Sequence, residues 1–543
     1  MVDRVFRLYH TIKYLKPKQV IWRVIYLLPR LISSKKNCPE IILFPLFSIF
    51  KNGITKDYNH YSFLNETHLL SIVGWDNSSI SKLWRYNLHY FDFLRQNNQN
   101  EKNLELQKDI IDKWISDNPY AKGTGWEPYP TSLRIINWIK WHQNTKGLSK
   151  EGQLSLWNQT LWLANRPEYH LLGNHLFVNA KALLFSCAFF GLDEKSNIYN
   201  RAIKIISNEL EEQFLEDGAH FELSPMYHAL AMEDLLDLLQ LTSSLPSSFP
   251  SKKILHNYKK GMQWLSYMKY KNDELSHFND CSNGIAPSFE ELNNFGGKIG
   301  IDTDLKLVSN FYHFSQSGFS VIKDDYIHLI TDIGKIGPEY LPGHAHADTL
   351  SFELSIKGQR VIVNSGTSEY GLSNERLRQR NTSAHSTIEI DSQNSSEVWS
   401  SFRVARRANV YDVNIDSEDH FNKNIRISAC HNGYKRLKSS PIHKRIWNYY
   451  KGSLLISDFI TGNKNQIISR FYFHPEIQIL QKDKCFLISK ENINLAEIEI
   501  QNANEIDLVH TTYHDKFGHS RPNECIEIHA LSPSQFLLTI KVV

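Results

Sequence analysis

Apolar residues recur at intervals of three and four positions through the first half of the chain. The intervals occur in segments separated by Pro, Gly and Asn: 83–94, 104–115, 132–142, 154–165, 175–190, 198–214 and 226–241. This spacing predicts amphipathic helices, and the short breaks predict hairpins arranged around an axis. No repeat of fixed period is visible, so a regular solenoid is not indicated.

After residue 311 the pattern changes to short β-branched runs separated by turn residues. These runs are 318–322, 326–330, 360–363, 386–390, 454–457, 467–473 and 536–542. Many short strands without intervening helices are typical of an antiparallel β-sandwich. We therefore predict an α+β protein with a helical extension over 1–59, a helical domain over 60–310 and a β-sandwich over 311–543, with the main boundary near 300–315.

Composition narrows the class of protein. A length of 543 residues exceeds what one hydrophobic core normally holds, which favours two or three domains. The 61 basic residues nearly balance the 58 acidic ones, and a net charge of +3 does not indicate nucleic-acid binding. The six cysteines have no CxxC spacing, so neither a zinc knuckle nor a disulfide framework is indicated.

The N-terminal region indicates where in the cell the protein is expected to be. Its first residues lack the apolar core and the cleavage site of a secretory signal. The apolar stretch 20–32 is broken by Arg23, Pro29 and Arg30 and is too short to span a bilayer. It either packs against the domain body or lies on an anionic membrane surface. We expect a bacterial protein of the cytoplasm or the periphery of the inner membrane, with no transmembrane segment.

The first candidate for chemistry is the stretch 343–354. His344, His346 and Asp348 lie at spacing two, before the alternating apolar residues of a half-buried strand. In extended geometry these three side chains share one face, with neighbours roughly 7 Å apart. Two imidazoles at that separation can serve as a base and as a metal ligand. The alternative is a set of surface histidines on a loop.

Two further polar clusters interrupt the helical half. Asn174 and His175 lie at the start of a strongly apolar helix, where Asn174 is either a helix N-cap or a functional amide. Glu222 and Tyr227 belong to a polar, aromatic turn before another helix, where a tyrosine either packs or reacts.

Taken in order, these motifs resemble the heparinase II/III family of polysaccharide lyases. The resemblance covers most of the chain and rests on the series Tyr86 to Tyr90, Trp126 to Pro130, Arg134, Asn137-Trp138, Gly173-Asn174-His175, Ser224 to His228, His344 to Asp348, Gly366-Thr367 and Arg380 to His385. Each motif alone is weak, and their order and spacing make the series specific. The family fold is an incomplete (α/α) toroid followed by an antiparallel β-sandwich, which agrees with the periodicity.

The resemblance implies β-elimination in an acidic polysaccharide that contains uronic acid. A base removes the C5 proton of the uronate, and the oxygen at C4 leaves. Negative charge builds on the carboxylate, so a neutral amide or a cation must stabilise it. By the resemblance, Asn174 is the neutralising residue and His175 beside it a helper or base. Tyr227 is the general acid and also the base for one sugar epimer, and His344 is the base for the other.

Five further residues are candidates for binding substrate. Tyr227 needs nearby cations to act as a base near neutral pH, because a tyrosine pKa is normally about 10. Arg134, Arg378 and Arg380 are proposed to supply this positive charge and to bind acidic sugars in bidentate fashion. The alternative is that they form a solvated basic surface. Trp126 stacks on a sugar ring or packs in the core. Glu222 bonds sugar hydroxyls or is a solvated carboxylate.

The resemblance also implies a structural metal ion, usually zinc. His346 and His385 match two of its ligands, and the third position, where the family pattern often has Asp, holds Asn364. Asn is a poorer zinc ligand than a carboxylate because it brings no charge. Asp348 has no assigned role.

Three functions fit these residues. The leading hypothesis is a lyase of a glycosaminoglycan-like or bacterial exopolysaccharide. A uronate C5 epimerase begins with the same proton abstraction and can use the same residues. A non-catalytic glycan-binding protein of a polysaccharide assembly system is the third, and the sequence does not specify the oligomeric state.

Overall fold

The chain folds into a helical domain followed by a domain of antiparallel sheets, as the sequence predicts. A computed structural model describes residues 2–28, 33–51, 53–96, 100–303, 310–417 and 424–543. The helices in these ranges are α1 (Val2–Ile12), α2 (Pro17–Leu27), α3 (Leu70–Val73), α4 (Lys82–Tyr90), α5 (Glu101–Asp117), α6 (Pro128–Thr145), α7 (Lys150–Asn165), α8 (Gly173–Phe190), α9 (Asn197–Gln213), α10 (Pro225–Leu239), α11 (Ser251–Met268), α12 (Phe289–Lys298) and α13 (Asn374–Arg380).

The strands begin with one small hairpin and then fill the C-terminal half. They are β1 (His60–Phe63), β2 (Glu66–Leu69), β3 (Phe311–Phe314), β4 (Phe319–Lys323), β5 (Ile327–Asp332), β6 (Phe352–Ile356), β7 (Gln359–Ile362), β8 (Ile388–Ile390), β9 (Val398–Ser400), β10 (Arg403–Val404), β11 (Val410–Ser417), β12 (Asn424–His431), β13 (His443–Tyr450), β14 (Ser453–Ile460), β15 (Gln466–Tyr472), β16 (Gln478–Lys482), β17 (Cys485–Lys490), β18 (Ile493–Gln501), β19 (Glu505–Tyr513), β20 (Arg521–Leu531) and β21 (Ser534–Val542).

The helical domain is built around α8. This helix is apolar on all sides, and every residue from Leu176 to Phe190 is buried, as expected for a helix inside a domain rather than on its surface. Helices α6 and α9 pack against it, and α10 packs against α11. The predicted array of helices around an axis is consistent with this packing.

Three large antiparallel sheets and the two-stranded pair β9–β10 form the described part of the C-terminal domain. The strand orders of the three large sheets are β11-β12-β13-β14-β21-β18-β17-β16, β19-β20-β15-β8 and β3-β4-β5-β6-β7. Leu329, Trp447 and Ile526, one from each sheet, belong to the same buried core. The sheets therefore enclose common apolar side chains, which agrees with the predicted sandwich.

The described elements on either side of the predicted domain boundary are one helix and one strand. The last helix of the helical domain ends at Lys298 and β3 begins at Phe311, while 304–309 in the predicted boundary lie outside the described residues. Among the described residues of the predicted helical extension, α1 and α2 are helical and 33–51 contains no helix. Of the apolar stretch 20–32, residues 29–32 lie outside the described residues. None of the described helices has the length and apolarity needed to cross a bilayer.

Candidate active site

A cavity of about 480 Å³ lies where the helical domain meets the loops of the β domain. Its wall contains side chains from α4, α6, α8 and α10, and from the loops around Leu341, Tyr370, Phe402 and Phe517. The structure brings five of the predicted site residues to this one cavity: Asn174, His175, Glu222, Tyr227 and His344.

Tyr227 lies in the first turn of α10, whose start is well defined. Pro225 occupies the first helical turn, and the hydroxyl of Ser224 accepts a hydrogen bond from the backbone N–H of Tyr227 at 3.3 Å. The Ser224 hydroxyl also donates to the carbonyl of Asp280 at 2.6 Å, which ties the helix start to the segment that leads into the β domain. The cap thus sets the direction of the Tyr227 side chain.

The Tyr227 hydroxyl lies 3.1 Å from the hydroxyl of Tyr370. Burial raises the pKa of Tyr227 well above its ordinary value, and Tyr370 and Asp280 raise it further. Tyr227 is therefore protonated at neutral pH, which suits a general acid. The predicted second role as a base has no support in this arrangement.

His344 is oriented by a carboxylate that the sequence did not indicate. Its Nδ1 donates to Oδ2 of Asp280 at 2.9 Å. The other ring nitrogen, Nε2, is thereby left as the proton acceptor. This imidazole lines the cavity and stacks on Tyr227, so its position suits a base.

Asp280 holds the site together from behind. It is fully buried, and Arg376 donates to both of its oxygens while Nε2 of His346 donates to Oδ1 at 2.9 Å. Burial alone would raise its pKa, but Arg376 and the two histidines hold the pKa of Asp280 well below its ordinary value. The cation at this site is therefore Arg376, which also contacts the ring of Tyr370.

Asn174 lies inside the first turn of α8 and is not its N-cap. Leu172 occupies the cap position and makes no side-chain cap bond, and both Leu172 (φ 67°) and Gly173 (φ 57°) have left-handed φ values. A Cβ at Gly173 would lie 2.4 Å from Leu341 Cδ2, so glycine suits this turn. Within the described residues the amide of Asn174 has no hydrogen-bond partner, which leaves it free to bind a ligand.

His175 and Glu222 lie beside Asn174. Nδ1 of His175 is 3.2 Å from Glu168 Oε2. Burial lowers the pKa of His175, but Glu168, with Glu222 and Glu127, outweighs burial and raises it overall. Glu222 is buried, neither of its oxygens has a hydrogen-bond partner among the described residues, and burial raises its pKa. An unpartnered carboxyl group on a cavity wall is suited to accepting or donating a hydrogen bond to a sugar hydroxyl.

The other four predicted substrate-binding residues are not among those that line this cavity. Arg134 is buried in the helical domain, where its guanidinium lies 3.8 Å from the Trp114 ring centre and bonds Gln159. Trp126 packs against Trp114 and Trp162. Both are buried in the core: Arg134 on the inward side of α6, and Trp126 in the short turn that precedes α6.

Arg378 and Arg380 lie on α13, behind the cavity. Arg378 forms an ion pair with Glu375, one turn earlier on the same helix. Arg380 is fully buried and donates to the carbonyl oxygens of Ala345, Ser400 and Ser401. Its role is to hold the loop that carries His344 and His346.

The predicted metal ligands lie close together, but Asn364 does not fit as a ligand. Nδ1 of His346 faces Nε2 of His385 at 3.2 Å, whereas the Oδ1 of Asn364 faces the opposite nitrogen of His385, Nδ1, at 3.0 Å. One ion binds only one nitrogen of an imidazole, so Asn364 orients His385 instead. Within the described part of the chain no group of three His, Cys, Asp or Glu side chains converges on one point.

The two histidines themselves are arranged as ligands of one cation would be. If His346 donates through Nε2 to Asp280 and His385 donates through Nδ1 to Asn364, their remaining lone pairs face each other. Metal-bound histidines commonly donate their second N–H to such carboxylates and carbonyls. Zinc at this position therefore stays a prediction, with His346 and His385 as its protein ligands.

Asp348 lies apart from this chemistry. It is buried beside Asp332 in the β domain, and burial raises its pKa to about 6. The three residues at spacing two do not share one strand face, because 343–350 forms turns and the strand begins only at Phe352.

Sequence reasoning missed Asp280, Tyr370 and Arg376. Asp280 follows the polar residues Ser276 and His277 near the end of the helical domain, but no spacing there indicates a shared site. These residues meet His344 and Tyr227 only through long-range contacts, so a local pattern could not have identified them.

The lysine and arginine side chains that line the cavity are all paired with carboxylates. Four basic residues, Lys51, Arg95, Lys140 and Lys181, and five acidic residues, Asp92, Glu222, Glu233, Asp234 and Asp237, line the cavity. Lys181 lies 2.5 Å from Asp234 and 2.9 Å from Asp237, and Lys140 lies 2.6 Å from Asp237. Arg95 pairs with Glu233, and Lys51 with Asp92 at 3.5 Å. The cavity wall is therefore close to neutral overall.

Comparison with known families matches both domains. The model described as heparinase II/III N-terminus matches residues 86–295, and the model described as heparinase II/III-like, C-terminal, matches residues 308–536. These two ranges contain all of the residues assigned above to the cavity chemistry and to the predicted metal.

Two curated relatives are named heparin-sulfate lyases. A heparin-sulfate lyase of Bacteroides stercoris is 24% identical over 370 residues, which are 60% of this chain and 49% of the relative. A heparin-sulfate lyase of Pedobacter heparinus is 28% identical over 251 residues, 41% of this chain and 36% of the relative. The chain thus spans half or less of the length of these curated relatives in the matched regions.

The fold is also similar to that of a solved enzyme. A heparan sulfate lyase mutant from Pedobacter heparinus superposes with a TM-score of 0.62 at 15% identity, covering 89% of this chain and 81% of the other. At this identity the likeness establishes the fold alone.

Proposed function

This chain belongs to the heparinase II/III family, and we propose that it is a polysaccharide lyase that cleaves a uronate-containing acidic polysaccharide by β-elimination. The observation that carries the proposal is that Asn174, Tyr227 and His344 line one cavity while Asp280 fixes the tautomer of His344. An amide, a protonated phenol and an imidazole acceptor are the three groups that the reaction needs.

Each group has one task in the proposed reaction. Nε2 of His344 accepts the C5 proton of the uronate. The amide of Asn174 donates to the carboxylate as negative charge builds on it, and removing one such donor typically costs about 3–4 kcal/mol of barrier. Tyr227, kept protonated by burial, donates its proton to the leaving oxygen at C4. A double bond between C4 and C5 results.

The charge of the cavity supports a substrate with few sulfates. All four basic residues of its wall have carboxylate partners, and five acidic residues face the same space. A densely sulfated chain would meet carboxylates without free cations to offset them. We therefore propose a glycosaminoglycan-like or bacterial polymer whose negative charge comes mainly from uronate carboxylates.

The test is ultraviolet absorbance of the unsaturated uronate during incubation with a panel of acidic polysaccharides. Tyr227→Phe removes the acid and Asn174→Ala removes the amide, and each should lower kcat about 100-fold or more. Tyr326→Phe, an exposed tyrosine of the β domain, is the matched control and should keep full activity.

Heavy water separates the lyase from the other functions. Deuterium at C5 without unsaturated ends would identify a C5 epimerase. Tight binding of a polymer with neither unsaturation nor exchange would identify a non-catalytic glycan-binding protein. An unchanged rate in Tyr227→Phe would remove Tyr227 from the mechanism.

A further inference from the structure

Helix α2 lies on the protein surface with its apolar side facing outward. Its contacts with the body come from Gln19, Trp22 and Tyr26: the Gln19 amide bonds the carbonyl of Leu171, Trp22 packs on Tyr169, and the Tyr26 hydroxyl donates to the carbonyls of residues 166 and 167. At about 100° per residue these three side chains share one face. The exposed large apolar residues of the helix lie on the opposite face: Val20, Ile21, Val24 and Leu27.

Helix α1 is arranged in the same way. The hydroxyl of Thr11 accepts from Trp399 Nε1 at 3.1 Å, which fastens the helix to the β domain. The same hydroxyl lies 2.8 Å from the carbonyl oxygen of Arg7, one turn earlier, and 3.3 Å from that of Val404. The exposed large apolar residues of α1 are Val5, Phe6, Leu8, Tyr9 and Ile12. Val5, Leu8, Tyr9 and Ile12 follow helical spacing, and their face points away from Thr11. Two neighbouring helices in the chain therefore leave their apolar faces without a partner among the described residues.

Positive charge accompanies these faces. Residues 1–28 contain six basic residues, Arg4, Arg7, Lys13, Lys16, Lys18 and Arg23, and one acidic residue, Asp3. On α2 the exposed Arg23 borders the apolar face on one side. Lys18 borders it on the other side, with its Nζ 4.2 Å from the ring centre of Tyr169. Basic residues beside a helical apolar face are the pattern of a helix that lies in the headgroup region of an anionic bilayer.

The two helices are held in place on the body. Lys16 forms an ion pair with Glu212, and its Nζ lies 3.9 Å from the ring centre of Tyr340. The guanidinium of Arg407 lies 3.8 Å from the ring centre of Tyr14. Because each helix contacts the body through polar and aromatic side chains, its apolar side faces away from the protein. Leu171, which accepts from Gln19, also lines the cavity, so the surface lies next to the candidate active site.

We propose that α1 and α2 bind the surface of an anionic lipid bilayer, with their apolar faces in the headgroup region and Lys18 and Arg23 on lipid phosphates. Burying the eight large apolar side chains of these two faces from water supplies the driving force, and the excess of positive charge selects anionic lipid. The bilayer then places the cavity close to the membrane surface. This inference does not depend on the proposed lyase activity.

Co-sedimentation of the full chain with vesicles tests this. We expect binding to vesicles of phosphatidylcholine with phosphatidylglycerol, little binding to phosphatidylcholine alone, and release as salt is raised. The double variant Lys18→Gln, Arg23→Gln should weaken binding roughly 30-fold, because each lost charge weakens it about fivefold. The double variant Ile21→Glu, Val24→Glu should weaken it by roughly tenfold or more.

The matched control is Ile493→Glu, which places the same charge on an exposed apolar residue of β18 and should leave vesicle binding unchanged. Equal binding of all variants, or equal binding to neutral and anionic vesicles, would overturn the proposal. A second result would also overturn it. The unaltered chain would bind no vesicles and would form a dimer in light scattering without lipid, and the variant Ile21→Glu, Val24→Glu would be a monomer. The apolar faces would then cover a second copy of the chain.

Discussion

The imidazole of His344 lies against the phenol ring of Tyr227, with their ring centroids 3.9 Å apart. Under the proposed mechanism, the group that takes the C5 proton and the group that protonates the leaving oxygen therefore meet the sugar from one wall of the cavity. The two residues come from different domains, since Tyr227 belongs to α10 and His344 to a loop of the β domain. Asp280 connects them, because its carbonyl accepts from the cap of α10 and its carboxylate accepts from His344.

Asp280→Asn should lower kcat by at least about tenfold with a smaller change in KM. The amide can donate to Nδ1 of His344 and so favour the tautomer that lacks the acceptor at Nε2. The substitution also leaves Arg376 buried without its carboxylate, which should cost about 3–5 kcal/mol of unfolding free energy. Steady-state kinetics and urea unfolding measure the two effects.

His344→Gln is the companion variant for Asp280→Asn. It keeps the ion pair between Asp280 and Arg376, so it should lose activity without a comparable loss of stability. A folded Asp280→Asn protein with the activity of the unaltered chain would show that Asp280 does not orient the base.

Under the proposed function, Asp234→Asn should make the protein more tolerant of sulfate in its substrate. The change leaves Lys181 with Asp237 as its one remaining carboxylate partner and removes one negative charge from the cavity wall. The quantity to measure is kcat/KM on a sulfated polymer divided by kcat/KM on a non-sulfated one. We expect this ratio to rise severalfold, because one charge interaction contributes about 1 kcal/mol.

The control for Asp234→Asn is Asp109→Asn, an exposed aspartate of α5 that does not line the cavity. It should leave the ratio unchanged. An unchanged ratio in Asp234→Asn would mean that the paired charges do not set the preference for sulfation.

The stability of the protein should fall as pH decreases from about 6.5 to 4, in part because of His228. Burial lowers the pKa of His228 to about 4, while in the unfolded chain it is about 6.5. Between these values the unfolded chain binds a proton that the folded chain does not, so unfolding becomes easier as pH falls. The contribution of this residue is on the order of 3 kcal/mol below pH 4.

Urea unfolding at pH 7 and at pH 4.5 measures that dependence. His228→Gln should be less stable at pH 7, because Nδ1 accepts from the backbone of His220 and Nε2 donates to the carbonyl of Gly261. Its stability should also depend less on pH. The same pH slope in both proteins would exclude His228 as a source.

Metal analysis tests the site formed by His346 and His385. The facing lone pairs of the two imidazoles predict one zinc ion per chain, lost in His385→Ala. Dialysis against a chelator should then lower the midpoint of thermal unfolding. Purified protein without stoichiometric metal, and His346→Ala with unaltered stability, would together contradict the prediction.

Much of the architecture could be predicted from the sequence. Apolar spacing of three to four residues and short β-branched runs are local patterns, because each helix or strand buries one side against the same core. The helices through α12 and the sheets after β3 follow those patterns. The order of the motifs around Asn174, Tyr227 and His344 was also enough to identify the family.

Tertiary structure decided which polar residues face the cavity. The sequence shows Arg134, Arg378 and Arg380 as equal candidates with Glu222, yet only Glu222 lines the cavity, because helix rotation and domain packing turn the arginines elsewhere. Asp280 and Arg376 are separated by 96 positions and meet only in the folded chain. Local periodicity records which side of a helix or strand is apolar, whereas the partners of a buried charge depend on how distant segments pack.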